Sequence, residues 1–393
     1  MTPRKTQTSK RPTKVTRSIE LETQRELWGR AAGRCEFSGC NRILFKSPVT
    51  QEKVNIGQMA HIYSFAAAGP RGRGKFATAT AGLNDAGNLM LVCYDCHKKI
   101  DKDKKGARYS AELLKAWKVA HESRIMRVTG ISADKTSHVV LYGARVGDER
   151  SPLSYERAVE AMFSTWYPAE DHLINLSMAS ALDDSQPDFW TVEAAHLVKE
   201  FDRNVRSRSQ EAAPNHFSVF ALAPQPLLML LGSLFIDQVP AVIYQPHREP
   251  PSWQWQPHPE NFAFKINPPS DFTGAPALVI SLSDKVAHDR VTTVIPGKLS
   301  IWELTVENCH NDIIRSEAQL VMFREAARKL MVSINEAHPG AKSLSIFPAM
   351  PASCAVNLGR IRMPKANLPW TIYDQNNKHR RFIPAITIPT TNE

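Results

Sequence analysis

Long apolar runs are missing from this 393-residue chain. The longest, Leu227 to Ile236, stops at Asp237, too short to cross a bilayer. A transmembrane helix is therefore excluded as an organising element. The basic residues near Met1 do not lead into an apolar stretch of the kind a secretory signal carries, so a cytoplasmic protein with no membrane association is expected. Cysteine is scarce too: there are six, and Cys309 and Cys354 stand alone. Four clustered thiols without a secretion signal point away from a disulfide framework and towards metal thiolates.

What is present is unevenly spread. Residues 1–130 carry 25 Lys and Arg against 11 Asp and Glu, and the remainder carries 24 against 28. The overall charge of +10 thus comes from the first third, which suits a polyanion partner for that part. A solvated basic surface is the plainer alternative. The length predicts two or three domains. Residues 1–17 are polar, basic and aperiodic, and are expected to form a disordered arm. A helix is predicted from Ser18, through Leu21, Leu27 and Trp28, closed by Gly33. Ala66 to Gly82 reads as a flexible basic loop, and Tyr109 to Ile125 as a helix with Ser110 as its N-cap. The first domain is placed at 18–128, a polar linker at 129–137 and a second domain at 138–393.

The cysteine cluster is Cys35-x4-Cys40 and Cys93-x2-Cys96. Two thiolate pairs are what a tetrahedral structural zinc site needs, and four ligands leave no position for a reactive water. Nested in it are His61, Asn88 and His97. Phosphodiester hydrolysis needs a base that deprotonates water and a cation that shields the leaving oxygen. His61, after a strand-like stretch, suits the base. His97, at the predicted start of a helix, suits a ligand for a hard divalent cation. Asn88 can hydrogen-bond backbone across a hairpin and hold the His61 loop. Singly, these residues read as a surface histidine, a turn asparagine and a helix-start histidine.

The stretch resembles the HNH endonuclease family. The likeness is carried by Ala60-His61-Ile62, by Gly87-Asn88-Leu89-Met90-Leu91-Val92-Cys93-Tyr94-Asp95-Cys96-His97, by Lys99-Ile100-Asp101, and by Trp117-Lys118 to Glu122. The resemblance implies a ββα-metal fold of the α+β class and double-stranded DNA as substrate. It also implies His61 as general base, Asn88 as orienting residue and His97 as ligand of a catalytic Mg²⁺ or Mn²⁺. Many members place an acidic residue or a second histidine just before the base, and here Ala60 stands there. Asp101 or Asp85, or phosphate and water, would complete the metal shell. Arg71, Arg73, Lys75 and Lys98 are the expected DNA contacts.

The second domain alternates strand and helix patterns, an α/β reading. Leu173-Ile-Asn-Leu-Ser177 matches Val279-Ile-Ser-Leu-Ser283. Helix patterns follow at Val192 to Val205 and at Glu317 to Ile334. Phe220-x3-Pro224-x7-Gly232 then matches Phe347-x3-Pro351-x7-Gly359, and Val242-Ile-Tyr244 matches Thr371-Ile-Tyr373. This predicts two β-α-β-α-β repeats, at about 138–247 and 276–391, joined by the Pro-rich stretch Pro246 to Pro276. A doubled unit puts its ligand at the carboxyl ends of the strands, beside helix N-termini. The candidate ligand residues are Ser177, Pro224, Gln225, Trp253, Trp255, Ser283, Asp284, Lys285, Pro351 and Ser353. Packing or helix capping would equally explain the two tryptophans and the two turn serines, Ser177 and Ser283.

The whole arrangement resembles the HNH–SAVED effectors of bacterial CBASS anti-phage systems, in which a SAVED domain fuses two CARF- or Rossmann-like repeats. That resemblance implies a cyclic di- or trinucleotide ligand, with 3′,2′-cGAMP as the leading candidate. It further implies a nucleotidyltransferase that makes the ligand, a homodimer assembling to a higher oligomer, and non-specific DNA degradation. Two other readings stay open. One is a zinc-stabilised, ligand-responsive DNA-binding regulator without catalysis. The other is a restriction-type nuclease whose C-terminal half reads DNA.

Overall fold

The computed structural model describes residues 17–78, 81–145, 153–163, 165–178, 182, 184–186, 188–209, 216–235, 239–376 and 381–389. All of the expected basic arm except Arg17 lies outside them. The chain divides into two compact units, Met1–Ile131 and Ser132–Glu393. The division falls within the 129–137 stretch. No helix among the described residues is long and apolar enough to cross a membrane.

In the first unit α1 spans Leu21–Arg30. Gly33, at φ +62°, then turns the chain, its N–H donating to Trp28 O at 3.0 Å. The left-handed conformation explains the glycine. β1 (Gly57–His61) pairs antiparallel with β2 (Leu89–Cys93), Gly57 opposite Cys93 and His61 opposite Leu89. α2 (Tyr94–Lys102) starts on the next residue. α3 (Ala111–Thr129) follows, and Ser110 Oγ caps it by accepting from Leu113 N at 3.2 Å. Every residue of β2 is buried, and the core packs Leu44, Ile62, Met90, Leu91, Val92, Ile100 and Leu114 around it. The buried Glu36 carboxylate accepts from Leu91 N at 2.6 Å and faces Lys118 Nζ at 3.7 Å. Burial nonetheless raises its pKa to about 7.

The second unit opens with β3 (Thr136–Gly143), α4 (Tyr155–Met162), β4 (Tyr167–Pro168) and β5 (Ile174–Asn175). α5 (Phe189–Phe201) runs through a π-turn into α6 (Ser207–Ser209). β6 (Phe217–Leu222), α7 (Gln225–Leu234) and β7 (Ala241–Ile243) complete the first repeat, and a small hairpin, β8 (His247–Arg248) with β9 (Pro251–Ser252), follows. The second repeat holds β10 (Lys265–Asn267), β11 (Ala275–Ser281), α8 (His288–Thr292), β12 (Leu299–Thr305) and α9 (Glu317–Ala337). It ends with β13 (Leu344–Ala349), α10 (Ala352–Arg360), β14 (Trp370–Asn376) and β15 (Arg381–Ile388). One parallel sheet has the order β4-β3-β6-β7, with β5 also beside β3. The other has the order β10-β12-β11-β13-β14-β15, parallel inside and antiparallel at both edges. The result is a mixed α/β fold.

Sheet order corrects one equivalence expected from sequence. Residues 173–177 contain β5, a short outer strand, whereas 279–283 begin in the inner strand β11. The topological counterpart of β11 is β3, and that of β5 is β12. Short apolar strands carry too little pattern to be matched by sequence alone.

The second equivalence has a physical basis. Phe220 stacks on Tyr244 with centroids 4.3 Å apart, and Phe347 stacks on Tyr373 at 4.5 Å. Pro224 and Pro351 precede α7 and α10. Gly232 and Gly359 let those two helices touch backbone to backbone. A Cβ on Gly232 would lie 1.9 Å from Val356 O, and one on Gly359 would lie 2.1 Å from Met229 O. α7 also meets β14 and β15, while α10 meets β6 and β7. This reciprocity is the signature of an isologous interface, here built within one chain.

Candidate functional site

The first unit gathers the four clustered cysteines. The sulfurs of Cys35, Cys40, Cys93 and Cys96 lie within 4.8 Å of one another, with Cys40 Sγ 3.9 Å from Cys93 Sγ. Tetrahedral Zn–S bonds of about 2.3 Å put sulfurs about 3.8 Å apart, so the spacing fits zinc. β2 and α2 bring Cys93 and Cys96 together, since the chain passes from strand to helix between them. Burial pushes the Cys35 thiol up to about 12 and the Cys96 thiol up further, so both stay protonated near neutral pH unless a cation takes the proton's place.

His61 closes β1, and Ala60 before it is buried in the core and offers no donor. Asn88 lies just before β2. Its Oδ1 accepts from Tyr63 N at 2.9 Å, and its Nδ2 donates to Tyr63 O at 3.0 Å and to Leu83 O at 2.9 Å. Asn88 thus clamps the backbone two residues beyond His61. His97 sits in α2 with Nδ1 3.5 Å from Asp101 Oδ2, one turn on. Asp101 thus lies on the Nδ1 side of the ring. Asp85 contributes its backbone oxygen to Asn88 N at 2.8 Å. Among the described residues, only the four cysteines bring three or more His, Cys, Asp or Glu ligand atoms together.

The expected DNA contacts are placed differently from one another. The Arg71 guanidinium donates to Ile62 O (2.7 Å), His61 O (3.1 Å) and Ile100 O (3.3 Å), tying the end of β1 to α2. This bracing could not be read from an arginine in a Gly-rich loop. Arg73 donates to Phe65 O at 3.2 Å. Lys75 lies over the Phe76 ring and Lys98 over the Tyr94 ring.

The second unit contains a cavity of about 630 Å³ at the carboxyl ends of its strands. Ala223, Pro224 and Gln225 line it from the first repeat, and Met350, Pro351 and Ala352 from the second. These triplets are the turns into α7 and α10, where helix N–H groups are unsatisfied by the helix itself. Trp253 and Ser283 also line it. Five expected ligand residues do not. Ser177 Oγ accepts from Gly143 N at 2.8 Å, and Trp255 stacks near Tyr244. Asp284 and Lys285 are exposed on the turn after β11. Ser353 is buried behind the wall, its Oγ donating to Gln245 Oε1 at 2.6 Å.

Sequence reasoning missed Arg157, Asp184, Gln245, His247, Arg248 and Asp374 in the cavity lining. Burial lowers the pKa of His247. Burial, and then the Asp184 carboxylate, raise Asp374 to about 7. The only available signal for Gln245 and Asp374 was their place after the matched tyrosines.

No curated protein matches the chain in sequence. Among solved structures, the Acinetobacter baumannii Cap4 SAVED/CARF-domain containing receptor with the cyclic trinucleotide 2'3'3'-cAAA is similar at 11% identity and a TM-score of 0.43, covering 75% of this chain and 66% of that one. The Moraxella osloensis Cap4 SAVED/CARF-domain containing receptor is similar at 11% identity and a TM-score of 0.39, covering 74% of this chain and 63% of that one. The chain thus spans under two thirds of the length of each. Residues 197–388 match the family described as SAVED, the SMODS-associated and fused to various effectors sensor domain. That stretch lies in the second unit and makes just under half of the chain similar to the SAVED sensor family.

Proposed function

We propose that this chain is a CBASS effector, a metal-dependent endonuclease whose HNH-type first unit degrades double-stranded DNA when a cyclic oligonucleotide occupies the SAVED cleft. The observation that carries the nuclease half is the strand–strand–helix arrangement with His61 at the end of β1, Asn88 clamping the backbone beyond it, and His97 on α2. Cys35, Cys40, Cys93 and Cys96 would hold zinc, which would stabilise the scaffold. His61 takes a proton from water, the hydroxide oxygen bonds to phosphorus, and the P–O bond to the leaving group breaks with its electron pair. The leaving oxygen then takes a proton from solvent. His97 would hold Mg²⁺ or Mn²⁺, which would supply positive charge to offset the negative charge developing on the leaving oxygen.

The family match to a sensor supports the ligand half, as does a cleft offering helix N-termini, Arg157 and Arg248 to an anionic ligand. One such centre cuts one strand, so a double-strand break needs two centres. Ligand-driven assembly of homodimers into a higher oligomer links sensing to cutting if the ligand prefers the assembled state. A partner nucleotidyltransferase supplies the ligand, with 3′,2′-cGAMP the first candidate.

The test is plasmid degradation with Mg²⁺ and a panel of cyclic di- and trinucleotides, including 3′,2′-cGAMP. One of them should switch on cutting, and His61→Ala should abolish it. A wild-type protein that binds DNA on ligand addition without cutting it, or a His61→Ala variant that cuts as well, would sink the proposal.

A further inference from the structure

His61 has a second partner outside the sequence pattern that singled it out. Asn84 Oδ1 lies 2.9 Å from His61 Nε2, while Asn84 Nδ2 donates to Ser18 O at 3.0 Å. The second bond fixes the first. A backbone carbonyl only accepts, so the amide NH₂ must face Ser18 and the amide oxygen must face the imidazole. Turning the amide over would set two oxygens against each other at Ser18. An oxygen at hydrogen-bond distance from Nε2 requires a proton on Nε2. In a neutral imidazole the other nitrogen, Nδ1, then carries the lone pair.

We infer that Asn84 is a positioning residue that selects the Nε2–H tautomer of His61 and so makes Nδ1 the basic atom. The inference rests on the reading of His61 as general base. It divides the work of two asparagines. Asn88 holds the backbone after His61 through Tyr63, and Asn84 sets the ring. Phe65, edge-on to the His61 ring at 5.9 Å, limits its rotation further. A base with the proton on the wrong nitrogen cannot accept one from water until it exchanges. Correct tautomer and orientation therefore enter directly into the rate.

The test uses the full chain, labelled with ¹⁵N-histidine, at a pH where imidazole is neutral. Long-range ¹H–¹⁵N correlation reads the tautomer of each histidine, and the signal lost in His61→Gln identifies the ring in question. The wild-type ring should carry its proton on Nε2. Asn84→Leu, which keeps the size and loses the acceptor, should give a mixture of tautomers. Asn84→Asp, which keeps an acceptor towards the ring while losing the donor to Ser18 O, should still favour Nε2–H over Nδ1–H. In ligand-activated cutting, Asn84→Leu should lower kcat about 10- to 100-fold with KM for DNA unchanged. A proton on Nδ1 in the wild type, or an unchanged tautomer in Asn84→Leu, overturns the inference. The nuclease reading fails separately: if His61→Ala still cuts, the base assignment is wrong whatever the tautomer.

Discussion

Gly232→Ala puts the crossing of α7 and α10 to a quantitative test. In a solvent-exposed helix interior this change stabilises by about 1 kcal/mol, because alanine loses less backbone entropy on folding. Here the added Cβ would stand 1.9 Å from Val356 O, 2.8 Å from Val356 C and 3.0 Å from Arg360 N. Ordinary contact begins near 3.4 Å, so the helices must part by about 1.5 Å. The opposing atoms are backbone, and no rotamer change relieves the clash. Overpacking typically costs about 1–3 kcal/mol. With the upper part of that range set against the propensity gain, a net loss of about 2 kcal/mol is expected, or a fall in the second unit's Tm of roughly 4–8 °C.

Gly359→Ala meets Met229 O at 2.1 Å at the same crossing. Once the helices have moved apart for the first alanine, the second should add little, and the double variant should be less than additive by about 1 kcal/mol or more. Denaturant unfolding of the wild type, both single variants and the double variant measures this. Stabilisation by either single change, or strict additivity, would refute the backbone-to-backbone contact.

Zinc removal should act on the first unit: Cys40→Ser should lower bound zinc, measured by elemental analysis, and lower that unit's melting temperature. Wild-type protein purified under reducing conditions without zinc would count against the four-sulfur site. Asp374 yields a pH prediction with a definite sign. Its folded pKa of about 7 lies above the unfolded value of about 3.9, so its contribution is fully present below about pH 4 and is lost as pH rises through 7. The upper bound for three pKa units is about 4 kcal/mol, and partial access of the side chain to solvent makes about 2 kcal/mol the expected figure. Asp374→Asn should flatten this slope in pH-dependent unfolding, and an unchanged slope would contradict it.

What the sequence revealed had strict local causes. Cys35, Cys40, Cys93 and Cys96 are legible because no common packing role needs four thiols in such an order. Phe220, Pro224 and Gly232 recur at fixed spacing because each does one constrained job: a ring stacked on tyrosine, a helix start, and a backbone contact. Ser110 and Gly33 mark helix ends through capping and a left-handed turn. What stayed hidden depends on contacts between distant segments. The Arg71 side chain reaches Ile100 O across 29 residues, and Asn84 reaches His61 across 23. Neither residue type in a polar loop announces such a partner. The expected ligand residues Ser177, Asp284 and Lys285 were placed by matching short strands, and β5 turned out to occupy the outer position that β12 holds in the other repeat.

The two repeats are alike in backbone and unlike where the cleft is read. Gln245 follows Tyr244, and Asp374 follows Tyr373, at corresponding places in the lining. Gln245 Oε1 accepts from Ser353 N at 3.2 Å and from Ser353 Oγ, at the N-terminus of α10. The position in α7 that corresponds to Ser353 is Pro226, which has neither a hydroxyl nor an N–H. The Ser353 donors that satisfy Gln245 therefore have no counterpart at Pro226. Burial, and then the Asp184 carboxylate, raise the pKa of Asp374. One side of the cleft ends in an amide whose oxygen is already occupied, and the other in a carboxyl group that readily exchanges its proton near neutral pH. The repeated backbone supplies the shape, and the exchanges of Ser353 for Pro226 and of Gln245 for Asp374 across it supply the chemical asymmetry.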